Sequence, residues 1–490
     1  MRDLVPAPVS ARPEPDQDFR IGASTSIRAS GAAVAAGEFL SGLLRPATGY
    51  PLPVVDNGSV DGTITLALDP AGEAAGEAYR LSVRSGSVLV EASTEAGLFA
   101  GVQTLRQLLP AAINASEPRP GPWDISGGSV VDRPRFVHRG AMLDVARHFF
   151  TVAEVKRFID EIARYKLNVL HLHLTDDQGW RIEILSWPRL AEVGGATQIG
   201  GGPSGYFTQA DYREIVAHAA ARHVTVIPEI DVPGHVNAAL SAYPELNADG
   251  VAPQPFLRSG SAVGFSSLWT DAEVTYRFVD DVLGEVSALT PGDYLHLGAD
   301  EAHATSEDGY ATFITRALAM VSRHGKRAIG WHEILTANPP ASVVAQYWGK
   351  TGDSELVRAA VARGNTVVVS PSTRAYLDMK YTTETPIGFK WAAYIDVADA
   401  YGWDPGSFLD GVPEDAVLGV EAPLWTETVE RFDQVEYMAF PRLAAIAELG
   451  WSPASAHDWP DFARRLAAQG PRWTERGVTF YRSEQVPWPD

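Results

Sequence analysis

The sequence predicts an α/β protein in which a (β/α)8 (TIM) barrel follows a small α+β domain. From about Pro134 onward, eight apolar runs of strand length alternate with segments of helical periodicity. This region spans roughly 350 residues, a size that suits such a barrel with insertions. The residues before Pro134 do not show this regular alternation, and a chain of 490 residues is too long for one hydrophobic core. We therefore expect two domains, residues 1–133 and 134–490.

The N-terminal domain is expected to combine helices with a short sheet. Thr94 is a suitable N-cap for an amphipathic helix, and Ser85–Gly86 is typical of a hairpin turn. Pro46 and Gly49 favour the end of an earlier helix. The predicted elements are a helix over 31–49, a strand over 62–69, a hairpin over 79–93 and a helix over 94–109.

The barrel strands are predicted from their apolar runs and from the helical patterns between them. Little room for a helix remains between the fifth and sixth strands. A long, aromatic, irregular stretch follows the seventh, and such insertions are usually functional loops. The predicted strands are 139–145, 168–175, 224–231, 294–300, 327–333, 343–349, 365–371 and 417–425.

Composition excludes several classes of function. The 40 basic and 61 acidic residues give a net charge of −21, which argues against nucleic acid or an anionic membrane as the main partner. The absence of cysteine excludes disulfides, thiolate metal sites and cysteine nucleophiles. The N-terminus shows no apolar signal core, and no apolar run is long enough to span a membrane. As written, the chain is expected to be cytoplasmic, or secreted with its leader missing.

Polar and aromatic residues follow the predicted strands at their C-terminal ends, where barrel enzymes carry their chemistry. Carboxylates and arginine bind hydroxyls, and tryptophan covers apolar sugar faces, so this pattern favours a carbohydrate pocket. Asp300 and Glu301 are adjacent, and neighbours along a strand point to opposite faces. The residues, in strand order, are Asp144 and Arg147; Asp176 and Asp177; Glu229, Asp231 and His235; Asp300 and Glu301; Trp331 and Glu333; Trp348; Tyr376 and Asp378; Trp425 and Glu427.

Two alternatives compete with a carbohydrate hydrolase. His171 and His173 lie two apart on one strand, and H-x-H with nearby carboxylates can bind a metal, as in a barrel amidohydrolase. A structural role for both, packed among leucines, is favoured because the other strand ends offer mainly tryptophan and carboxylates. The non-enzymatic alternative is a catalytically weak carbohydrate-binding barrel.

The motif "HLGADE" at residues 296–301 resembles the H-x-G-G-D-E signature of glycoside hydrolase family 20, the β-N-acetylhexosaminidases. The resemblance continues in order through "DVARHFF", "HLHLTDDQGWR", "PEIDVPGH", "GWHE", "QYWG", "YLDMKY" and "APLWTET". It covers nearly all of residues 134–490, and the first 133 residues look like the small domain that precedes the barrel in this family. Ala299 departs from the pattern, because the family usually has a second glycine there.

The resemblance implies an exo-acting, retaining enzyme that releases terminal β-linked GlcNAc, with GalNAc open as a second sugar. In this family the substrate's own 2-acetamido oxygen replaces the enzyme nucleophile and forms an oxazolinium ion. Glu301 would then be the general acid and base, and Asp300 would orient the acetamido group and stabilise its charge. Tyr376 would donate to the acetamido oxygen, while Asp176 and His235 would support Glu301.

The resemblance also implies the residues that bind the sugar, and it implies no cofactor and no metal. The partners would be oligosaccharides or glycoconjugates that end in an N-acetylhexosamine. Asp177 could exchange roles with Asp176, and Arg147 could serve mainly as a structural ion pair. The predicted binding residues are Trp331, Trp348 and Trp425 around the acetamido group, Arg147, Asp378 and Glu427 at the ring hydroxyls, and Trp391 under the leaving group.

Overall fold

The computed structural model describes residues 1–57, 59–69, 76–258, 260 and 263–489. The chain forms two compact units. The first contains Met1–Arg135, Arg164–Lys166 and Ala447–Asp490, and the second contains Phe136–Ala163 and Leu167–Ile446. The C-terminal residues 447–490, which the sequence assigned to the barrel domain, thus belong to the same compact unit as the N-terminal region.

The first unit is built on a mixed seven-stranded sheet. Its predicted hairpin is confirmed, with the turn at Ser85–Gly86. The Thr94 hydroxyl accepts a hydrogen bond from the Gly97 N–H and starts the second helix as predicted. In sheet order the strands are Ser10–Pro13, Gly128–Asp132, Tyr79–Arg84, Ser87–Ala92, Thr63–Leu68, Ser26–Arg28 and Val54–Val55; Phe19–Arg20 pairs with Asp124–Ile125; and the helices are Ala33–Thr48, Glu95–Gln107, Trp459–Ala467 and Gly470–Glu475.

Polar contacts hold the C-terminal residues within this first unit. The Arg472 guanidinium donates to the backbone oxygens of Gln107 and Leu109, at 2.8 and 2.6 Å. The Trp451 indole N–H donates to Asp132 over 2.9 Å. These partners lie more than 300 residues away in sequence. The local periodicity of residues 447–490 therefore could not predict that they belong to the first unit.

The second unit is a closed barrel of eight parallel strands, as predicted. Most residues of each strand are buried on both faces, which explains the largely apolar runs in the sequence. Most predicted segments extend past the observed strand at its C-terminal end, because those residues turn away into the loops of the site. The strands are β1 (His138–Asp144), β2 (Val169–His173), β3 (Thr225–Glu229), β4 (Tyr294–His296), β5 (Arg327–Trp331), β6 (Val344–Tyr347), β7 (Thr366–Val369) and β8 (Val417–Leu424).

Helices connect most of these strands. Only a short 3₁₀ segment, His332–Ala337, joins β5 to β6, as the limited spacing predicted. After β8, two helices are separated by Phe440 and Pro441, because proline cannot continue the hydrogen-bond ladder. The helices of this region are Val152–Arg164, Gln209–Ala220, Asn237–Ala242, Glu273–Leu289, Glu307–Arg323, Glu355–Ala362, Val397–Tyr401, Phe432–Ala439 and Arg442–Trp451.

A layer of aliphatic side chains fills part of the barrel interior. Val169, Ile227, Ile329, Val344 and Val368 pack against one another from five different strands. This packing fixes the strands below the polar residues that follow them. Among the described helices, none is both long and apolar enough to cross a membrane.

Candidate active site

A cavity of about 680 Å³ is lined by residues that follow the C-terminal ends of the barrel strands. It brings together eleven of the twelve residues to which the family resemblance assigns a catalytic or binding role. The exception is Trp331. The eleven are Arg147, Asp176, His235, Asp300, Glu301, Trp348, Tyr376, Asp378, Trp391, Trp425 and Glu427.

The backbone after β4 turns both adjacent carboxylates into this cavity. Strand β4 ends at His296, and Gly298, Ala299 and Glu301 have φ of 63°, 70° and 45°. The expectation that Asp300 and Glu301 point in opposite directions is therefore wrong, because it assumed an extended strand. A left-handed backbone removes the two-residue alternation.

The conformation explains which small residues the motif needs. A Cβ at Gly298 would lie 1.9 Å from the Asp231 Oδ1 atom, so only glycine fits. Ala299 is left-handed as well, which costs an alanine about 1 kcal/mol more than a glycine. Its backbone is held at both ends: its N–H donates to Asp231 over 3.2 Å, and its carbonyl accepts from the Tyr310 hydroxyl over 2.6 Å. The departure at Ala299 is thus accommodated under strain.

Glu301 lies next to a buried imidazole that contacts a second carboxylate. The His235 Nε2 atom is 3.5 Å from Glu301 Oε2, and its Nδ1 atom is 3.3 Å from Asp176 Oδ1. The Glu301 side chain is 26% exposed and that of His235 is 3% exposed. Burial alone would lower the pKa of His235, but nearby carboxylates, Asp176 foremost, raise it well above its usual value. An imidazolium in this place can hold Glu301 in one orientation.

The two adjacent aspartates after β2 have separate surroundings. Asp176 lines the cavity, and the guanidinium of Arg147 contacts it at 2.7 Å. Asp177 accepts from the Ser266 hydroxyl at 2.5 Å and from the Asn237 N–H at 2.9 Å, and it is not among the lining residues. Asp176 is the nearer of the two to the His235 Nδ1 atom, at 3.3 Å against 3.9 Å for Asp177, and it alone of the pair lines the cavity.

Arg147 is both a structural ion pair and part of the cavity wall. Its guanidinium lies 3.2 Å from Asp144 and 4.9 Å from the centre of the Trp425 ring. Its Nε atom donates to Gln178 over 3.1 Å. These contacts fix the guanidinium without covering it, since Arg147 still lines the cavity.

Three buried carboxylate oxygens in the cavity lack a donor. Asp300 Oδ1, Asp378 Oδ1 and Glu427 Oε2 have no hydrogen-bond partner among the described residues. Burial, with a further contribution from the negative charge of Glu301, raises the pKa of Asp300 to about 6, against the opposing effect of His235. Burial also raises the pKa of Asp378 and Glu427. Since buried acceptors are normally paired, these oxygens are candidates to accept hydrogen bonds from a ligand.

Aromatic rings form the remaining walls. Trp391 meets Trp348 and Tyr376 edge to face, with ring centres 6.1 and 5.9 Å apart. Tyr376 lies 6.5 Å from Trp425. The Trp348 indole N–H donates to Glu333 over 3.0 Å, which fixes the tilt of that ring. Burial raises the pKa of Glu333 to about 8, and the negative charge of Asp300 adds to the shift.

Trp331, predicted to wall the acetamido pocket, packs against the cavity wall from within the barrel. It is 1% exposed, and its ring lies 5.7 Å from that of Trp425, behind the cavity wall. Its indole N–H donates to Glu229 over 3.0 Å. Trp331 ends strand β5, so its side chain points into the barrel interior and supports the wall from behind.

His171 and His173 each lie in a group of side chains close enough to hold a metal ion, with Glu229 common to both groups, but their hydrogen bonds favour a structural role. The two ring nitrogens of His171 face Glu421 at 2.7 Å and Glu229 at 2.9 Å. Burial lowers the pKa of His171, but these carboxylates raise it to about 9. Both ring nitrogens of His171 are thus engaged with carboxylates, and this geometry favours the structural interpretation over the amidohydrolase.

Five residues that line the cavity were not predicted from the sequence to bind a ligand. Asp231 was recognised only as a strand end, whereas Lys350 and Phe389 lie in loops without a periodic pattern. Lys350 follows Trp348 by two residues, which is the one local signal available for it. The additional lining residues are Asp231, Gly260, Val263, Lys350 and Phe389.

Comparison with known proteins identifies the family. The model of the glycosyl hydrolase family 20 catalytic domain matches residues 136–309 and 303–454, and that of the family's domain 2 matches residues 1–133. A β-N-acetylhexosaminidase from Cellulomonas fimi is 41% identical over 489 residues, which cover 99% of this chain and 97% of the relative.

Solved structures extend the similarity to the whole fold. The family 20 β-N-acetylhexosaminidase of Streptomyces coelicolor superposes with a TM-score of 0.97 at 52% identity, over 100% of this chain and 99% of that one. A mutant β-hexosaminidase of Streptomyces plicatus, in complex with its product GlcNAc, gives 0.96 at 53% identity, over 100% and 98%. The chain therefore belongs to glycosyl hydrolase family 20 and is a glycoside hydrolase of the β-N-acetylhexosaminidase type.

Proposed function

We propose that this enzyme removes terminal β-linked GlcNAc by exo-acting, retaining, substrate-assisted hydrolysis. The observation that carries the proposal is the unpaired, buried Asp300 Oδ1 beside Glu301 in one cavity. An acetamido N–H is a donor of the right kind for this oxygen, and a plain sugar hydroxyl at that carbon would leave no amide oxygen to attack. Asp300 is then the partner of the substrate's nucleophile, and no enzyme nucleophile is needed.

In the first step Glu301 gives its proton to the glycosidic oxygen as the bond to the leaving group breaks. The acetamido oxygen attacks the anomeric carbon from the opposite face and closes an oxazolinium ring. Asp300 accepts the N–H and balances the positive charge that develops there. The Tyr376 hydroxyl donates to the acetamido oxygen and holds it near the anomeric carbon.

In the second step Glu301, now a carboxylate, takes a proton from water. That water attacks the anomeric carbon from the side the leaving group occupied. The bond between this carbon and the oxazolinium oxygen breaks, and that oxygen becomes the acetamido carbonyl oxygen again. Two inversions leave the released sugar with its original β configuration. His235, held by Asp176, keeps Glu301 oriented for both proton transfers.

The remaining cavity residues supply sugar recognition in this proposal. Asp378 Oδ1 and Glu427 Oε2 accept from ring hydroxyls, and the guanidinium of Arg147 donates to another. Trp348 and Trp425 enclose the acetamido methyl group, with Trp331 as their support. Trp391, 44% exposed at the rim, stacks on the leaving group. GalNAc differs only in one hydroxyl configuration, so we include it as a second, slower substrate.

The experiment compares three chromogenic substrates that share a 4-nitrophenyl leaving group: β-GlcNAc, β-GalNAc and β-glucose. We expect kcat/KM to be highest for β-GlcNAc and lower by at least about a thousandfold for β-glucose, because the latter lacks the acetamido nucleophile. Proton NMR during the first turnovers should show β-GlcNAc as the initial product. Efficient cleavage of the β-glucoside, or an initial α product, would overturn the mechanism.

A further inference from the structure

A continuous line of buried ionisable groups leads through the barrel interior to Glu301. Carboxylates and imidazoles alternate along it, and each of its side chains is at most 3% exposed. We call it the histidine–carboxylate network; its members, in order, are Glu421, His171, Glu229, His173, Asp176 and His235. Successive contacts measure 2.7, 2.9, 2.5, 3.0 and 3.3 Å, and His235 then lies 3.5 Å from Glu301.

The geometry favours charged imidazoles within this network. Both ring nitrogens of His171 and both of His173 face carboxylate oxygens. A neutral ring would turn one nitrogen lone pair towards an oxygen lone pair, which is repulsive at these distances. The carboxylates indeed raise the pKa of His173 well above its usual value, although burial opposes them.

Glu229 is the centre of the network. Its Oε2 atom accepts from His171 and His173, and its Oε1 atom accepts from the indole N–H of Trp331. The Trp331 ring supports Trp425 in the cavity wall. Glu229 is not among the residues that line the cavity. It nevertheless contacts both His173, which leads towards Glu301, and Trp331, which supports the wall of the proposed acetamido site.

We propose that Glu229 is a positioning residue for catalysis, which keeps His173 charged so that Asp176 and His235 remain oriented at Glu301. It acts through these side chains and does not touch the substrate. The proposal rests on the role given above to Glu301 as general acid and base.

The surroundings of His173 define what the loss of Glu229 does. His173 is faced by Glu229 and Asp231 from β3 and the loop after it, by Asp176 from the loop after β2, and by Asp144 from β1. The Trp425 ring packs edge-on against His173 from the end of β8, with ring centres 4.9 Å apart. Arg147 forms an ion pair with Asp176. Without the Glu229 charge, Asp176 is the one carboxylate still hydrogen-bonded to the imidazole. Burial then favours the neutral ring.

The test is Glu229→Gln in the full chain, with kcat and KM measured from pH 4 to 9. Removing one hydrogen-bonded carboxylate lowers the pKa of a buried imidazole by about one to three units. His173 then loses its proton at lower pH than in the wild-type enzyme, so the alkaline limb of the kcat profile should move to lower pH by about one unit or more. KM should change less than about threefold. A residue with only a structural role would lower the melting temperature and leave the limb in place, and that result would overturn the proposal.

Glu421→Gln is the matched control, because it makes the same change at the same burial but touches His171 and not His173. Its alkaline limb should not move to lower pH, since a neutral His171 leaves Glu229 free to hold the His173 proton more tightly. An equal downward shift in both variants would contradict the role of Glu229, because any lost interior charge would then have the same effect.

A measurement on the unmodified enzyme covers the case in which Glu229→Gln does not fold. Side-chain ¹⁵N NMR of the histidine-labelled protein should show His171 and His173 protonated on both ring nitrogens at pH 7. A neutral His173 at that pH would overturn the proposal. The spectrum contains no substrate, so its outcome is independent of whether the substrate-assisted mechanism holds.

Discussion

Replacing Asp300 by asparagine removes the charge that balances the oxazolinium ion and keeps the shape of the side chain. The carboxylate is largely buried, with its side chain 12% exposed, so an effective dielectric constant near 20 suits the site. Two unit charges about 4 Å apart then attract by about 4 kcal/mol, which corresponds to about a thousandfold in rate. Because the positive charge develops only after binding, the loss should fall on kcat and not on KM.

The assay is steady-state hydrolysis of 4-nitrophenyl β-GlcNAc by the wild-type enzyme and Asp300→Asn. We expect kcat to fall about a thousandfold and KM to change less than about threefold, because the amide oxygen still accepts the acetamido N–H. Titration calorimetry with GlcNAc should give similar affinities for both proteins. An unchanged kcat, or a loss confined to KM, would refute the charge-balancing role of Asp300.

Three further predictions concern the site and its support. His235→Gln removes a cation that lowers the pKa of Asp300, so the acid limb of kcat/KM, expected near pH 6, should move to higher pH. An acid limb that stays in place would contradict an effect of the His235 charge on Asp300. Gly298→Ala should lower stability by about 2–5 kcal/mol in thermal unfolding through its clash and its positive φ, whereas Gly200→Ala, with φ of 75° and open space, should show the smaller backbone cost alone. The pKa of His171 is raised on folding from 6.5 to about 9, so its stabilisation is complete below pH 6.5 and is lost as pH rises through 9; melting temperatures that stay level from pH 7 to 9.5 would contradict a charged ring.

The barrel strands could be predicted because each is buried on both faces. Segments such as 139–145 and 417–425 are mostly apolar for that reason, and they become β1 and β8. The polar residues after them cluster because the carboxyl ends of parallel strands meet at one end of the barrel. Eleven residues of one cavity could therefore be named from strand ends and motif resemblance.

The remaining features depend on backbone torsions and on distant partners. The shared direction of Asp300 and Glu301 comes from three left-handed residues, and alternation along a strand predicts the opposite. Trp331 follows the same strand-end pattern as Trp425, yet its indole turns inward because Glu229, about a hundred residues earlier, accepts its N–H. Periodicity reports which face of an element is buried, and it does not report which buried group a side chain reaches.

The acetamido oxygen as nucleophile is the central claim, and its basicity can be varied without touching the protein. A series of 4-nitrophenyl β-glycosides with N-acetyl, N-fluoroacetyl, N-difluoroacetyl and N-trifluoroacetyl groups keeps nearly the same shape while fluorine withdraws electrons from the carbonyl. We expect kcat/KM to fall steeply and steadily with each fluorine, by orders of magnitude across the series. A rate that does not depend on fluorine content would contradict attack by the acetamido oxygen.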